Sequence, residues 1–100
     1  MHSNRVIPCA AILVLLTGAA AAGPADIPAG ASACSGCHPA SRGVATSVPR
    51  LNGGDPAQIL AAMQDFRAGK RPATVMDRIA KGFSDDEVKA IAAWYAAQKD

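Results

Sequence analysis

Apolar residues recur at helical spacing between Asp55 and Gly69. The stripe is made of Ile59, Leu60, Met63 and Phe66. Asp55 before a proline is typical of a helix N-cap, because the carboxylate accepts backbone N–H groups and proline suits the first helical position. Gly69 can adopt the left-handed conformation that ends a helix. The pattern therefore predicts a helix across this segment, with its apolar stripe on one side.

A second amphipathic stretch lies near the end of the chain. Ser84 followed by Glu87 forms the sequence of a capping box and marks the start of a helix. The predicted apolar face consists of Val88, Ile91, Ala92 and Tyr95, with Trp94 beside it. A short helix is also expected from about Ala29, loops over 39–54 and 70–76, and a turn or two over 77–81. No stretch alternates with period two, so the fold class predicted is all-α.

Residues 1–22 have the pattern of a secretory signal peptide. The apolar run from Val6 to Leu16 is too short to span a bilayer, and small residues up to Ala22 suit cleavage there. An anchoring helix is the alternative. We expect export to the periplasm, a single domain over 23–100 and no membrane span after cleavage.

The 100-residue chain would then keep 78 residues, with few large side chains for a core. Domains this small usually need a cross-link, a metal or a cofactor. Loss of Arg5 leaves nine basic and eight acidic residues, so the mature charge is +1. This weak charge, without a long basic run, gives no indication of nucleic-acid binding.

The motif Cys-x-x-Cys-His at 34–38 is the attachment sequence for c-type haem. Cys34 and Cys37 would form thioethers with the porphyrin, and His38 would ligate the iron. Zinc, thiol redox chemistry and a local disulfide are the alternatives. A zinc site needs four ligands, and the other candidates, Cys9 and His2, fall in the signal segment. A thioredoxin-like centre would need alternating strands and helices.

A carrier haem needs a sixth ligand, and His38 is the only histidine after residue 22. Methionine sulfur favours ferrous iron and raises the reduction potential. Met63 lies within the helical stripe and is interpreted as core. Met76 follows a loop that could fold over the far face of the porphyrin, so Met76 is the candidate ligand, with apolar filler as its alternative.

These features together resemble a small class I cytochrome c over residues 26–99. The resemblance rests on the haem motif, on Val48-Pro49-Arg50-Leu51-Asn52-Gly53, on Met76 and on the aromatic final helix. It implies three to four short helices wrapped around one covalently bound haem c. It further implies that the Pro49 carbonyl accepts the His38 ring N–H and that Leu51 packs on the haem. The first helix has only small residues, so we expect its contact with Trp94 or Tyr95 to be weak.

Residues 65–87 are similar to the cytochrome subunit of flavocytochrome c sulfide dehydrogenases, and related segments occur in cytochromes of the c4 and c553 type. This likeness implies redox protein partners, with the chain either as a subunit bound to a flavoprotein that donates electrons or as a free soluble carrier. Basic residues near Met76 could form a docking rim for an acidic partner or a solvated face. They are Arg67, Lys70, Arg71, Arg78 and Lys81. Arg78 and Lys81 could instead face the haem propionates.

Two other functions stay open at this point. A haem enzyme or gas sensor would need an open axial position, against which Met76 argues. A haem-free secreted module closed by a Cys34–Cys37 disulfide is compatible with an oxidising compartment.

Overall fold

The computed structural model describes Gly18 and residues 26–99 as four α-helices without a strand. The helices are α1 (Ala31–Cys34), α2 (Pro56–Arg67), α3 (Met76–Ala80) and α4 (Asp85–Ala96). The prediction of an all-α fold with three to four short helices is confirmed. Apart from Gly18, the predicted signal peptide at 1–22 lies outside the described residues. Within the described part of the chain, no helix is long and apolar enough to cross a membrane.

Both long helices begin at the caps that the sequence predicts. The Asp55 carboxylate accepts hydrogen bonds from the backbone N–H groups of Ala57 (2.8 Å) and Gln58 (3.4 Å) at the start of α2. At the start of α4, the Ser84 N–H donates to Glu87 Oε2 (2.8 Å), and the Glu87 N–H donates to Ser84 Oγ (3.2 Å). These bonds satisfy N–H groups that have no partner inside a helix. The first turns of α2 and α4 are thus fixed locally.

The short helix α1 covers less of the chain than the sequence suggested. It ends at Cys34, and the motif continues as hydrogen-bonded turns in which the N–H groups of Cys37 (3.2 Å) and His38 (2.9 Å) donate to the Cys34 carbonyl. Gly30 precedes the helix in the left-handed region, with φ of 83°. Since this conformation interrupts a right-handed helix, α1 does not begin at Ala29.

A small core joins α1 to α4. Ala31, Ile91 and Tyr95 form a buried cluster, and the Tyr95 hydroxyl donates a buried hydrogen bond of 2.5 Å to the Ala31 carbonyl. The Phe83 ring packs against the same cluster. Helix α1 thus meets α4 through small side chains and through this backbone acceptor, and the expected weakness of their contact stays a prediction.

An arginine holds the connection between α3 and α4 against α2. Arg67 donates to Asp85 Oδ1 (2.8 Å), to the Phe83 carbonyl (2.8 Å) and to the Ala80 carbonyl (3.4 Å). Gln64 also donates to Asp85, at 3.0 Å. Hydrogen bonding by Arg67, then by Gln64, holds the pKa of the Asp85 carboxyl below its usual value. Arg67 is therefore part of the fold.

Candidate haem site

A cavity of about 750 Å³ lies between the motif at 34–38, the loop that precedes α2, and the loop that leads into α3. Its volume falls in the range of small-molecule and cofactor sites. Side chains from α2 and α4 complete the wall, which is mainly apolar. All six residues that the sequence predicts for the site line this cavity: Cys34, Cys37, His38, Pro49, Leu51 and Met76.

His38 is held through one ring nitrogen. Its Nδ1 lies 2.5 Å from the Pro49 carbonyl oxygen. Because a carbonyl oxygen can only accept, Nδ1 must carry the proton, and the lone pair of Nε2 is left for a metal. Such a bond also fixes the ring and raises its basicity as a ligand. The contact that the resemblance implied between these two residues is present.

The loop that carries Pro49 is tied to the rest of the fold on both sides. The Arg50 Nε donates to the Ala40 carbonyl at 2.9 Å. Further along, the Gly53 N–H donates to the Tyr95 carbonyl at 3.0 Å, which connects the loop to α4. These bonds place the Pro49 carbonyl beside His38 even though the loop has no regular secondary structure.

The two cysteines differ in environment. Cys34 is half-buried and Cys37 is exposed, and both are free thiols in this structure. Burial raises the pKa of the Cys34 thiol, and its Sγ lies 3.7 Å from the Gly30 carbonyl. Both side chains border the same cavity, as attachment to one porphyrin requires. Among the described residues, no group of three or more His, Cys, Asp or Glu side chains could hold a metal ion, so a structural zinc site finds no support there.

Met76 is the first residue of α3, where it is half-buried at the cavity wall. Helix α3 begins at Met76, so this residue stands where the loop over 71–75 meets a regular element. Its side chain therefore borders the same cavity as the His38 ring. The geometry is consistent with the ligand role predicted for Met76.

The apolar stripe of α2 faces the cavity. No residue of α2 is buried, and Ile59, Met63 and Phe66 are half-buried in the cavity wall. Met63 was expected in the protein core, but it lines this cavity instead. Helical periodicity shows which residues share a face, but the same pattern arises whether that face packs on protein or on a flat apolar cofactor.

Charged residues of the cavity were also missed. Arg50 and Arg71 contribute to its lining, and the Arg71 guanidinium lies over the Phe66 ring, 5.2 Å from the centroid. The spacing of Phe66 and Arg71, five positions apart across the end of α2, gives no simple helical signal. Only the fold of the loop brings them together.

A helical domain with two thiols, an oriented imidazole and a thioether around one apolar cavity fits a covalently attached haem. No protein-family model matches the chain. The chain is similar to several cytochromes. It is 37% identical over 62 residues to the cytochrome subunit of sulfide dehydrogenase from Chlorobaculum tepidum, covering 62% of this chain and 56% of that protein. It is 34% identical over 99 residues to cytochrome c4 of Pseudomonas aeruginosa, covering 96% of this chain and 49% of that protein.

The third relative matches over nearly its whole length. Cytochrome c-554(548) of Halomonas halodenitrificans is 33% identical over 86 residues, which cover 82% of this chain and 99% of the relative. The chain spans only about half the length of the other two proteins. The chain belongs to the class I c-type cytochromes, small helical proteins that carry covalently bound haem c. The predicted family and cofactor are thus confirmed.

Proposed function

We propose that this protein transfers electrons in the periplasm through one haem c attached to Cys34 and Cys37 and ligated by His38 and Met76. The observation that carries the proposal is the Nδ1 contact of His38 with the Pro49 carbonyl, at the wall of a cavity that Met76 also lines. Because this contact fixes the orientation of the His38 ring, it also fixes the direction of Nε2, the nitrogen proposed to bind iron.

Each residue of the site has a distinct task. Bound haem c supplies the one-electron ferric/ferrous couple. The Pro49 carbonyl keeps the His38 ring in one tautomer and one orientation in both redox states. The Met76 sulfur would hold the iron as its second protein ligand, which would keep small ligands away and favour the ferrous state. The apolar face of α2 keeps water from the cavity, so transfer needs little rearrangement.

Spectra of the holoprotein test the ligand set. We expect sharp reduced c-type bands and a weak red sulfur-to-iron band in the oxidised protein. Met76→Ala should lose the red band and bind carbon monoxide when reduced, because its sixth position is open. Met63→Ala is the matched control, since it removes the other methionine of the cavity wall, and it should keep the band.

Two results would contradict the ligand assignment. One is a red band that survives in Met76→Ala, and the other is its loss in Met63→Ala. A colourless protein from a host that can attach haem would remove the electron-transfer proposal and favour the disulfide-closed module. Rapid carbon monoxide binding by the reduced wild type would favour a haem enzyme or sensor.

The proposed compartment rests on the sequence of residues 1–22. Cleavage after Ala22 predicts that the mature protein in a periplasmic fraction begins at Gly23. Determination of its N-terminal sequence tests this directly. An intact N-terminus in the membrane fraction would instead indicate an anchor.

We further propose that the electron donor is a flavoprotein dehydrogenase with an acidic docking surface. The support is the likeness of residues 65–87 to sulfide dehydrogenase cytochromes and the similarity to one such subunit. Lys70, Arg78 and Lys81 are exposed on both sides of Met76, where they can attract an acidic partner. The chain could serve this partner as a bound subunit or as a free carrier.

Stopped-flow reduction by an acidic flavoprotein tests the docking role. Lys70→Glu should slow the second-order rate and weaken its dependence on ionic strength, since exposed charges are screened by salt. Lys99→Glu makes the same charge change at an exposed position near the C-terminus and should change both quantities less. Equal effects of the two substitutions would show that only net charge matters.

A further inference from the structure

The cavity wall contains few charged side chains. Among the described residues that line it, these are Arg50, Asp55 and Arg71, besides the titratable His38 and the two thiols. The Asp55 carboxylate already accepts two backbone N–H groups at the start of α2. The charged part of an otherwise apolar wall is therefore mainly arginine, whose guanidinium can pair with an anionic group at the cavity.

Arg71 is held in place by an aromatic ring. Its guanidinium carbon lies 5.2 Å from the centroid of Phe66, and Phe66 is itself part of the cavity wall. A cation over a ring face is attracted by the ring quadrupole, and the contact limits the directions that the long side chain can take. Since Arg71 is exposed overall, the pair stands at the mouth of the cavity.

Neighbouring basic residues do not share this position. Lys70, Arg78 and Lys81 are exposed and do not line the cavity. The sequence-based possibility that Arg78 and Lys81 face the haem propionates therefore gains no support from the cavity wall. Arg67 lines no part of the cavity either, because its guanidinium is bonded to Asp85 and to backbone carbonyls.

We propose that Arg71, braced by Phe66, binds a propionate carboxylate of the haem at the mouth of this cavity. The inference rests on the proposed haem site. The porphyrin is an apolar plate whose propionates are its only charged substituents, and a planar guanidinium matches a carboxylate with two parallel N–H donors. Arg71 thereby belongs to the cofactor site and not to the docking surface.

Pairing with Arg71 has a consequence for the haem potential. An unpaired carboxylate near the iron stabilises the ferric state by its negative charge, and a guanidinium bound to that carboxylate offsets the effect. Removal of the guanidinium should therefore lower the reduction potential while His38 and Met76 stay bound. The fall in reduction potential should be larger than the fall caused by removing one positive charge at a nearby exposed position.

The test compares holoprotein variants Arg71→Gln, Arg71→Lys and Lys70→Gln. Lys70→Gln is the matched control, because it removes one positive charge from the adjacent exposed residue, which does not line the cavity. The two readouts are the reduction potential from a spectroscopic titration and the propionate bending mode in the resonance Raman spectrum. The sulfur-to-iron band of each variant reports whether ligation is intact.

Arg71→Gln should lower the potential and shift the propionate mode, and Arg71→Lys should restore part of both. Phe66→Leu should shift both readouts in the same direction as Arg71→Gln but less, since it removes the ring that holds the guanidinium and keeps the positive charge. Lys70→Gln should leave the propionate mode unchanged. Equal shifts in Arg71→Gln and Lys70→Gln, with ligation intact, would overturn the Arg71 assignment alone. A wild-type protein without haem would overturn this inference together with the proposed function.

Discussion

A single added methyl group at Gly30 should loosen the packing of the haem-attachment segment against the fold. Gly30 has φ of 83°, and an alanine Cβ there would lie 2.5 Å from Phe83 Cε1 and 3.1 Å from Phe83 Cζ. Gly69 provides a matched comparison, because its φ is 72° and nothing lies within 4 Å of the corresponding position. Alanine thus meets the same backbone strain at both sites and a clash at only one.

The two costs can be estimated separately. A left-handed conformation costs a residue with a side chain about 1–2 kcal/mol. Forcing extra volume into a packed site adds about 1–3 kcal/mol. We therefore expect Gly69→Ala to lower the free energy of unfolding by about 1–2 kcal/mol, and Gly30→Ala by about 2–5 kcal/mol. For a domain of this size, each kcal/mol corresponds to a fall in Tm of about 4–8 °C.

Urea and thermal unfolding of the holoproteins, followed by circular dichroism and by the Soret band, would measure both changes. The double variant Gly30→Ala/Phe83→Leu, with Phe83→Leu alone, completes a cycle that isolates the clash. A smaller side chain at 83 should recover most of the difference between the two glycine sites. Equal losses of unfolding free energy for Gly30→Ala and Gly69→Ala would refute the reasoning, because the left-handed backbone alone would then explain both and the clash with Phe83 would cost nothing.

Two further predictions concern buried and acid-sensitive bonds. Tyr95→Phe should lower the free energy of unfolding by about 1–3 kcal/mol, since it removes the buried donor to the Ala31 carbonyl. Ser41→Ala, which removes the exposed hydroxyl that accepts from the Gly43 N–H, should change it by less than about 0.5 kcal/mol in the same urea titration, and an equal loss would contradict the burial argument. Hydrogen bonding to Arg67 lowers the pKa of Asp85 below its usual 3.8, so the stability from this pair is present above that value and is lost as pH falls through the lower pKa of the folded state. The stability difference between wild type and Asp85→Asn should therefore shrink as the pH falls from about 5 to below 3.8, and a constant difference would contradict it.

Local signals in the sequence predicted much of this fold. Asp55 and Ser84 mark helix starts because a cap needs only the few residues around it. The motif at 34–38 identified the cofactor because thioether attachment requires two thiols and a histidine at fixed spacing. The face of α4 was also correct, since all four residues predicted for it are buried.

Other features depend on contacts between distant segments and could not be predicted this way. Met63 lines the cavity and not the protein core because the cofactor cavity occupies the side of α2 on which helical periodicity places it. The bond between Tyr95 and the Ala31 carbonyl joins residues 64 positions apart. A backbone carbonyl carries no sequence signal, so only the packing of α1 on α4 shows it.

The basic residues around Met76 illustrate why charge in sequence does not define one surface. Arg67 is bonded to Asp85 and to two backbone carbonyls, so its removal should affect stability before docking. Arg71 lies over Phe66 at the cavity wall, so its removal should affect the haem. The proposed docking role would then rest on Lys70, Arg78 and Lys81, which are exposed and do not line the cavity. A variant that removes all of these charges together would change the stability of the fold, the haem site and the attraction of a partner at once. Substitutions at the three exposed positions alone would measure the attraction of a partner.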